Sequence, residues 1–443
     1  MLWSTHPARN ETLGRQPPEN HKGFTASTSD LTMPTAIDKD LSLLRLLSPE
    51  VIAHPHALYR ALREYDPVHW DPYMHAWVVT TYRESVQVLT DFSAERIPSD
   101  ADLERLGLKV MSPFSEMMRT QMMFMDGPKH RQLRGICSAA FMPNRVEKLR
   151  EEIASIANGL LDAVQANGEL DLVADFADPL PSTVTTRLMG IPPEDRAQVH
   201  IWIRDLSELF GNFQHNRVRL QTLLESLRGV KSYLDELLQR PQEHEKAGMI
   251  QALAAAGKDG SPFSSEEIIA NIVITLVGGH ETTTNLIASG FLTLIEDQGA
   301  FDRLRNHPEW IQTAVEELLR YESPVQHTAR VAPGDLELCG KKIAKGDHVV
   351  AVLAAANRDP ARFVDPDTLD LTRADNRHLA FGWAAHFCFG AALARMEVQI
   401  AFPILFRRLV NPRLLEPRLE WRQNAGLRGL ARLPIAFETT HTN

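Results

Sequence analysis

The sequence "HLAFGWAAHFCFGAALAR" (residues 378–395) places Cys388 between a turn that contains aromatic residues and glycine and the predicted first turn of a helix. A cysteine that only fills space in a core needs no such setting. Backbone N–H groups at the start of a helix can point at a sulfur and lower the pKa of its thiol. The stretch therefore predicts a cysteine that stays ionised and faces a cofactor. Cys137 and Cys339 lack this setting and are predicted to be small buried hydrophobic residues.

Composition limits the class of protein. The 443 residues are 44% hydrophobic and 23% charged, and the net charge of −10 disfavours nucleic acid as the main partner, because binding phosphates needs an excess of cations. Three cysteines without close spacing exclude a disulfide framework and a four-cysteine zinc site, and they suit a reducing cytoplasm. The sequence has no secretory signal and no apolar stretch of the ~20 residues that span a membrane. We therefore expect a cytoplasmic protein without a membrane span.

The order of hydrophobic patterns predicts a mainly α chain with a small β part. Residues 1–40 are polar and are expected to form a disordered arm, and residues 41–443 are expected to form a single domain. A hairpin is predicted around Asp71-Pro72. Residues 128–256 are predicted to be almost entirely helical, with breaks at "PLPSTV" and "GIPPED". Further strands are predicted in "DLELCGKKIAKGDHVVAVLAAA" and in the last twenty or so residues.

A long buried helix is predicted from Ser264 to Gln298, because apolar residues surround nearly every face of its first half. Ser264 and the glutamate three positions later form a capping box, which marks the helix start. The helix would be roughly 50 Å long, enough to cross the protein.

The middle of this helix contains Gly278 and Gly279, followed by the polar cluster "HETTT". Thr282 is expected to donate a hydrogen bond to the carbonyl of Gly278 and to bend the helix. The resulting groove would suit a small polar ligand such as dioxygen, with Thr282 as a hydrogen-bond donor and Glu281 as a proton relay. A packing kink with satisfied polar groups is the alternative. His280 and Glu281 do not form a zinc-helix motif, because no second histidine follows at the required spacing.

Two groups of charged residues are predicted to be buried. Glu317 and Arg320 lie three apart on one helix face after an apolar run, and Arg373 is the nearest third member, so the three would fix the cysteine loop. An exposed ion pair of little energetic value is the alternative. A second group is cationic and would neutralise two carboxylates of a buried cofactor, although each member alone is more often a surface or core residue. This group comprises His130, Arg134, Arg330 and His386.

Six of the 13 methionines lie in "KVMSPFSEMMRTQMMFM" (residues 109–125). Unbranched thioether side chains repack easily, so this segment is either core filler or a pliable wall over an apolar ligand. The sequence does not decide between these two interpretations.

Taken together, these motifs resemble the cytochrome P450 family from about residue 45 to the end. The family's cysteine loop reads Phe-Gly-x-Gly-x-His-x-Cys-x-Gly-x-x-Leu-Ala-Arg, and Ala384 here replaces its second glycine, a position where alanine tolerates positive φ poorly. The family's Glu-x-x-Arg pair, its loop-anchoring arginine and its acid–threonine pair also have counterparts in this chain. The matching loop residues are Phe381, Gly382, His386, Cys388, Gly390, Leu393, Ala394 and Arg395.

The resemblance implies a triangular, helix-rich prism in which a long central helix crosses haem b. It also implies a monooxygenase that inserts one oxygen atom from O2 into an apolar small molecule by hydroxylation or epoxidation. Cys388 would be the axial iron ligand, with Glu281 and Thr282 in proton delivery. Glu317, Arg320 and Arg373 would be structural. The other cofactor-contacting residues would be His130, Arg134, Gly278, Arg330, Phe381, His386 and Gly390.

The resemblance further implies separate electron donors, a ferredoxin or flavodoxin with its reductase, which would dock near Lys129, Arg131 and Arg377. Ordinary surface charge is an equally good interpretation of these three residues. Two alternatives remain for the activity: a peroxygenase of the same family, which the acid–threonine pair disfavours, and a haem-based sensor or binding protein. The expected substrate-facing residues are Met122, Met123, Val277, Val325, Gln326 and Leu427.

Overall fold

The computed structural model describes residues 41–210, 219–240, 249–250, 253 and 263–438. Helix accounts for 59% and strand for 11%, which confirms a mainly α fold with a small β part. The expected disordered arm, residues 1–40, lies outside the described residues. Within the described part of the chain, no helix is long and apolar enough to span a membrane.

The α-helices of the described residues are numbered here in chain order. They are α1 (Pro49–Ala53), α2 (His56–Tyr65), α3 (Tyr82–Asp91), α4 (Asp100–Arg105), α5 (Ser112–Arg119), α6 (Gly127–Ala140), α7 (Pro143–Glu147), α8 (Arg150–Asp162), α9 (Pro179–Met189), α10 (Arg196–Ser207), α11 (Leu220–Gln239), α12 (Ser265–Glu296), α13 (Gln298–Asn306), α14 (Ile311–Glu322), α15 (Leu353–Ala356) and α16 (Ala391–Arg408).

The strands form small sheets at the edges of the helical body. The four-stranded sheet has the order β1-β2-β7-β4, the three-stranded sheet has the order β3-β9-β8, and β5 pairs with β6. The strands are β1 (Val68–Asp71), β2 (Ala76–Val79), β3 (Glu169–Asp171), β4 (Thr328–Val331), β5 (Leu336–Leu338), β6 (Lys341–Ile343), β7 (His348–Ala351), β8 (Val410–Leu414) and β9 (Pro434–Glu438).

Helix α12 is the central element and confirms the predicted long buried helix. Ser264 caps its start: the hydroxyl accepts from the N–H of Glu267, and the Glu267 carboxylate accepts from the N–H of Ser264. At about 1.5 Å per residue, its 32 residues are roughly 48 Å long. It packs against α9, α10, α14 and α16, so a residue at its middle lies deep in the molecule.

The predicted hairpin is confirmed as β1 and β2. Its turn depends on Asp71, which is buried. One carboxylate oxygen of Asp71 accepts from the N–H groups of Tyr73 and Met74, and the other accepts from the hydroxyl of Ser42 and the N–H of Leu43. The aspartate therefore closes the hairpin turn and also ties the start of the described chain to the sheet.

Several local expectations were wrong. "PLPSTV" does not interrupt the helices but begins α9, because Pro179 occupies a first-turn position where the missing N–H costs nothing. The predicted strand region ending at Ala356 stops at Ala351, and its last residues form α15. Strand β3 lies inside the region predicted to be helical and pairs with the distant β9. Cys137 is buried as expected, but Cys339 is exposed.

Candidate active site

One internal cavity lies between α12 and the loop that carries Cys388. Its volume is about 290 Å³, some twenty times the ~15 Å³ that one water molecule needs, so it is large enough to hold a small-molecule ligand. Gly278, Gly279 and Thr282 line one wall, and Phe381 and Cys388 line the other. The cavity therefore joins the two motifs that the sequence places more than a hundred residues apart.

The cysteine loop holds its sulfur at the cavity wall. The N–H of Cys388 donates to the carbonyl of Phe381 at 2.8 Å, which closes the loop. Helix α16 begins just after Gly390, and the N–H groups of Gly390 and Ala391 both donate toward the sulfur. Burial raises the pKa of the Cys388 thiol, and these two donors, with Arg134 nearby, oppose that rise. A metal cation at the sulfur would favour the thiolate further.

The turn before the cysteine carries strain at one position. Gly382 has φ 72° and Ala384 has φ 53°, both in the left-handed region that favours glycine. The side chain of Ala384 does not prevent the turn, because the N–H of Phe387 still donates to the Ala384 carbonyl at 3.1 Å. The substitution therefore costs backbone strain and leaves the path of the loop intact.

The opposite wall is an open stretch of α12. A Cβ atom added to Gly278 would meet nothing within 4 Å, whereas one added to Gly279 would lie 2.7 Å from the hydroxyl oxygen of Thr185 in α9. The hydroxyl of Thr282 donates to the carbonyl of Gly278 at 2.8 Å, as expected. The first glycine leaves space for a ligand, and the second allows α9 and α12 to pack closely.

Glu281 does not line the cavity. Its carboxylate is buried and forms an ion pair with Arg422, which lies in the turn that follows β8. Its second oxygen, Oε2, has no hydrogen-bond partner among the described residues. The predicted acid is therefore held outside the ligand space, beside the hydroxyl that lines it.

A cationic wall borders the cavity on the side of α6 and β4. His130, Arg134, Arg330 and His386 all line the cavity, and the rings of His130 and His386 stack with centroids 4.3 Å apart. His386 Nε2 lies 3.1 Å from Oδ1 of Asp126. The Nε atom of Arg330 and Nε2 of His130 are buried and have no hydrogen-bond partner among the described residues.

The charge of this wall is unbalanced. Burial and the neighbouring Arg330 lower the pKa of His386 to about 4, and burial lowers the pKa of Arg330 to about 10. Arg96 does not line the cavity but adds positive charge next to Arg330; burial and Arg330 lower the pKa of Arg96 to about 9. Of the acids in the described ranges, Asp126 interacts with this group, and the wall suits a ligand that brings its own carboxylates.

Glu317, Arg320 and Arg373 form the predicted buried cluster. The side chains of Glu317 and Arg320 are 0% exposed, and their bidentate contacts measure 2.8 Å. The Nε atom of Arg373 lies 3.1 Å from Glu317 Oε2. The remaining donors of Arg320 and Arg373 bind backbone carbonyls in the segment before the cysteine loop, among them those of Pro366, Thr368 and Val364.

Comparisons of the sequence and the structure with known proteins identify the family to which this site belongs. The cytochrome P450 family model matches residues 109–410. The chain belongs to the cytochrome P450 family. It is similar to the biotin biosynthesis cytochrome P450 of Bacillus subtilis (35% identity; 88% of this chain, 98% of the relative) and to the monooxygenase PikC of Streptomyces venezuelae (35%; 89% and 94%). The crystal structure of P450BioI with a hexadec-9Z-enoic acid-ligated acyl carrier protein matches at a TM-score of 0.82, 35% identity and 88% and 99% coverage.

These relationships confirm that the protein is a haem-containing cytochrome P450 monooxygenase, and they do not favour a peroxygenase or a sensor. Cytochromes P450 act on apolar substrates and receive electrons from redox partners. The arrangement of this chain fits haem. A sulfur lines the cavity, and His130 and Arg330, which also line it, each have a nitrogen without a hydrogen-bond partner in the described part of the chain that could neutralise a carboxylate of the cofactor.

Only three of the six expected substrate-facing residues line the P450 cavity: Met122, Met123 and Val325. Gln326 was wrongly predicted. Its side chain is turned into the core, where its oxygen accepts from the Tyr59 hydroxyl and its nitrogen donates to backbone carbonyls. Val277 and Leu427 are likewise buried but do not line the cavity.

The methionine segment is divided between the core and the cavity wall. Met111, Met117 and Met118 are buried in the main core, whereas Met122 and Met123 reach the cavity. Asn271 of α12 fixes this segment, because its side-chain oxygen accepts from the N–H of Met122 at 2.8 Å.

Glu397 is a further cavity residue that the sequence analysis missed. It lies in α16, lines the cavity and is 1% exposed, and its Oε2 has no hydrogen-bond partner among the described residues. Burial raises the pKa of this carboxyl well above its usual range. The sequence signal that could have identified Glu397 is its position as a single acid among the apolar residues of a helix that follows the cysteine loop.

Proposed function

We propose that this monooxygenase would hold haem b through the sulfur of Cys388 and would oxidise an apolar small molecule in the cavity that Gly278 and Thr282 line. The observation that carries the proposal is the shared cavity: the sulfur receives two backbone N–H groups on one wall and faces the open stretch of α12 on the other. When bound, haem supplies the activation of dioxygen.

The chain's own residues would hold the cofactor in three ways. Cys388 would bind the iron as a thiolate. Arg330 and His130 would donate to the carboxylates through nitrogen atoms for which the described residues offer no hydrogen-bond partner. Arg134 would add positive charge at the same wall, and Phe381 would pack on the cysteine side, where Arg395 lies 4.5 Å from its ring centroid. His386 would hold the ring of His130 in place by stacking on it, because its own Nε2 is hydrogen-bonded to Asp126.

Thr282 would position a proton at the cavity wall. Its single donor is used by the Gly278 carbonyl, so its oxygen lone pairs are left to accept a hydrogen bond from a molecule in the cavity. Glu281 would bring protons to this point from the side of Arg422, whose side chain is 24% exposed. Burial within the helix bundle would keep bulk water away from the reacting atoms.

The substrate would be apolar, because Met122, Ile274, Val325 and other apolar side chains line the cavity. Related structures support an apolar class of substrate and do not identify a single compound. Bound molecules in similar P450s include an acyl carrier protein-linked hexadecenoic acid, myristic acid and testosterone. The adaptable methionines would let the wall repack around such ligands.

Electrons would come from a ferredoxin or a flavodoxin with its reductase, docking on the cysteine side. Arg131 and Arg377 are exposed there, whereas the ammonium of Lys129 is paired with Glu267 and is less available. We infer that residues 41–443 act as a single haem domain. We place this domain in the cytoplasm, because three cysteines without close spacing suit a reducing compartment.

The test is the spectrum of the reduced, carbon monoxide-bound protein. Thiolate ligation gives a red-shifted Soret band, and Cys388→Ser should abolish that band, whereas the exposed Cys339→Ser should retain it in full. A wild-type spectrum typical of histidine-ligated haem would overturn the proposal. The same band in Cys388→Ser would show that another group binds the iron.

A further inference from the structure

A second cluster of metal-binding side chains lies outside the cavity. It consists of Asp178 just before α9, His200 in α10 and His280 in α12, so three separate elements contribute one residue each. His280 is close in sequence to cavity-lining Gly279, but its own side chain does not line the cavity. The mechanism described above makes no use of these three residues.

The geometry of the cluster is close to that of a metal site. Nε2 of His280 lies 2.9 Å from Oδ1 of Asp178, and Nε2 of His200 lies 3.2 Å from Oδ2. One ligand atom from each residue lies within 4.8 Å of the others. Ligands about 2.0–2.1 Å from a tetrahedral zinc ion are roughly 3.3 Å apart, so only small movements would admit the ion.

A hydrogen bond from outside the cluster orients one ligand. Nδ1 of His200 lies 2.7 Å from the hydroxyl of Ser182, which leaves Nε2 for the centre of the cluster. Metal-bound histidines usually engage their second nitrogen in this manner. The His280 side chain is 3% exposed, whereas those of Asp178 and His200 are 17% and 22% exposed, so the site is anchored in the core and open to ions from one side.

We propose that Asp178, His200 and His280 bind a divalent transition-metal ion of the zinc class, with water in the fourth position. Two imidazoles and a carboxylate are borderline-soft ligands of the kind that zinc prefers. The ion would link α10 and the start of α9 to the middle of α12, and its role would be structural.

The same contacts have a metal-free interpretation, which differs in the positions of the two imidazole protons and of the Ser182 hydroxyl proton. Without metal, each Nε2 carries a proton and donates to Asp178, and the Ser182 hydroxyl donates to Nδ1 of His200. With metal, Nε2 offers its lone pair to the ion and Nδ1–H donates to Ser182. Both arrangements fit the observed distances, so binding itself must be measured.

The experiment is zinc titration of the full-length, haem-loaded protein after removal of free metal, by calorimetry and by elemental analysis of zinc per chain. We expect one zinc ion per chain in the wild type and at least a tenfold weaker affinity in His200→Gln and Asp178→Asn. Ser182→Ala should weaken binding by roughly ten- to a hundredfold. His307→Gln, in an exposed His–Glu pair, is the matched control and should bind normally.

The carbon monoxide spectrum of each variant shows whether the fold and the haem site are intact, independently of zinc. Zinc binding should also raise the midpoint of thermal unfolding in the wild type and His307→Gln but not in His200→Gln. Absence of stoichiometric zinc at micromolar concentrations, or equal affinity in wild type, His200→Gln and Asp178→Asn, would overturn the proposal.

Discussion

Replacing Glu317 with glutamine should destabilise the protein far more than the loss of one ion pair on the surface. The carboxylate accepts from Arg320 at 2.8 Å through two nitrogens, from Arg373 at 3.1 Å, from Asn376 at 3.0 Å and from the N–H of Asp370 at 2.9 Å. Neutralising it leaves two guanidinium groups without their anion, those of Arg320, whose side chain is 0% exposed, and of Arg373, whose side chain is 10% exposed.

Breaking a buried ion pair typically costs about 3–5 kcal/mol, so we expect Glu317→Gln to lower the free energy of unfolding by at least ~3 kcal/mol. The measurement is urea unfolding followed by circular dichroism, with Soret absorbance reporting haem loss in parallel. Because the Arg320 and Arg373 donors bind the segment before the cysteine loop, haem should be lost at lower urea concentration than in the wild type.

Glu147→Gln is the matched control, because Glu147 and Arg150 form an ion pair with the same three-residue spacing on an exposed surface. Exposed pairs contribute about 0.2–1 kcal/mol, so this variant should unfold nearly as the wild type does. A loss in Glu317→Gln of under ~1 kcal/mol, or one equal to that in Glu147→Gln, would refute the buried-cluster argument.

Three further predictions concern the cavity walls. Thr282→Ala should divert reducing equivalents to hydrogen peroxide, measured as peroxide per NAD(P)H consumed in a reconstituted system. Thr284→Ala, which loses a bond to a carbonyl away from the cavity, should stay coupled, and equal coupling in both variants would remove Thr282 from the mechanism. Gly278→Ala should raise the free energy of unfolding by up to ~1 kcal/mol, because alanine has the higher helix propensity. Gly279→Ala should lower the free energy of unfolding, because its Cβ would lie 2.7 Å from the hydroxyl oxygen of Thr185. The reverse order of stability would contradict the packing described here for the two glycines. Between pH 6.5 and 4, haem-free protein should lose stability, because His386 has a folded pKa of about 4 and the unfolded chain takes up the proton first. Its contribution is present above pH ~6.5 and, as the pH falls to ~4, should decrease by roughly 2–3 kcal/mol, so His386→Asn should show a flatter pH dependence in urea unfolding.

Local and chemical patterns predicted much of the fold. The capping box located the start of α12, and the Asp-Pro turn located the β1–β2 hairpin, because both signals arise from contacts between near neighbours. Strand β3 was missed because three residues carry little periodicity and their pairing partner is β9, more than 250 residues away. "PLPSTV" misled because proline breaks a helix interior but is accepted in a first turn.

A cavity-lining residue was predictable from the sequence where its motif indicates a single chemical role, as for Cys388. Side-chain direction was not predictable: Gln326 precedes a cavity strand, yet its amide is satisfied by Tyr59 and by backbone carbonyls in the core. Arg422 as the partner of Glu281 depends on a turn 141 residues away, and no local pattern indicates it.

The Glu281–Arg422 ion pair has a consequence for protein engineering. The turn after β8 that carries Arg422 also includes Asn424, whose amide donates to the carbonyl of Phe210 just after α10. Libraries that randomise this turn to widen the range of accepted compounds would also change the electrostatic neighbour of the acid that we assign to proton supply. Such libraries should be screened for wasted reductant as well as for product, because a variant with a better-shaped pocket can still turn over poorly.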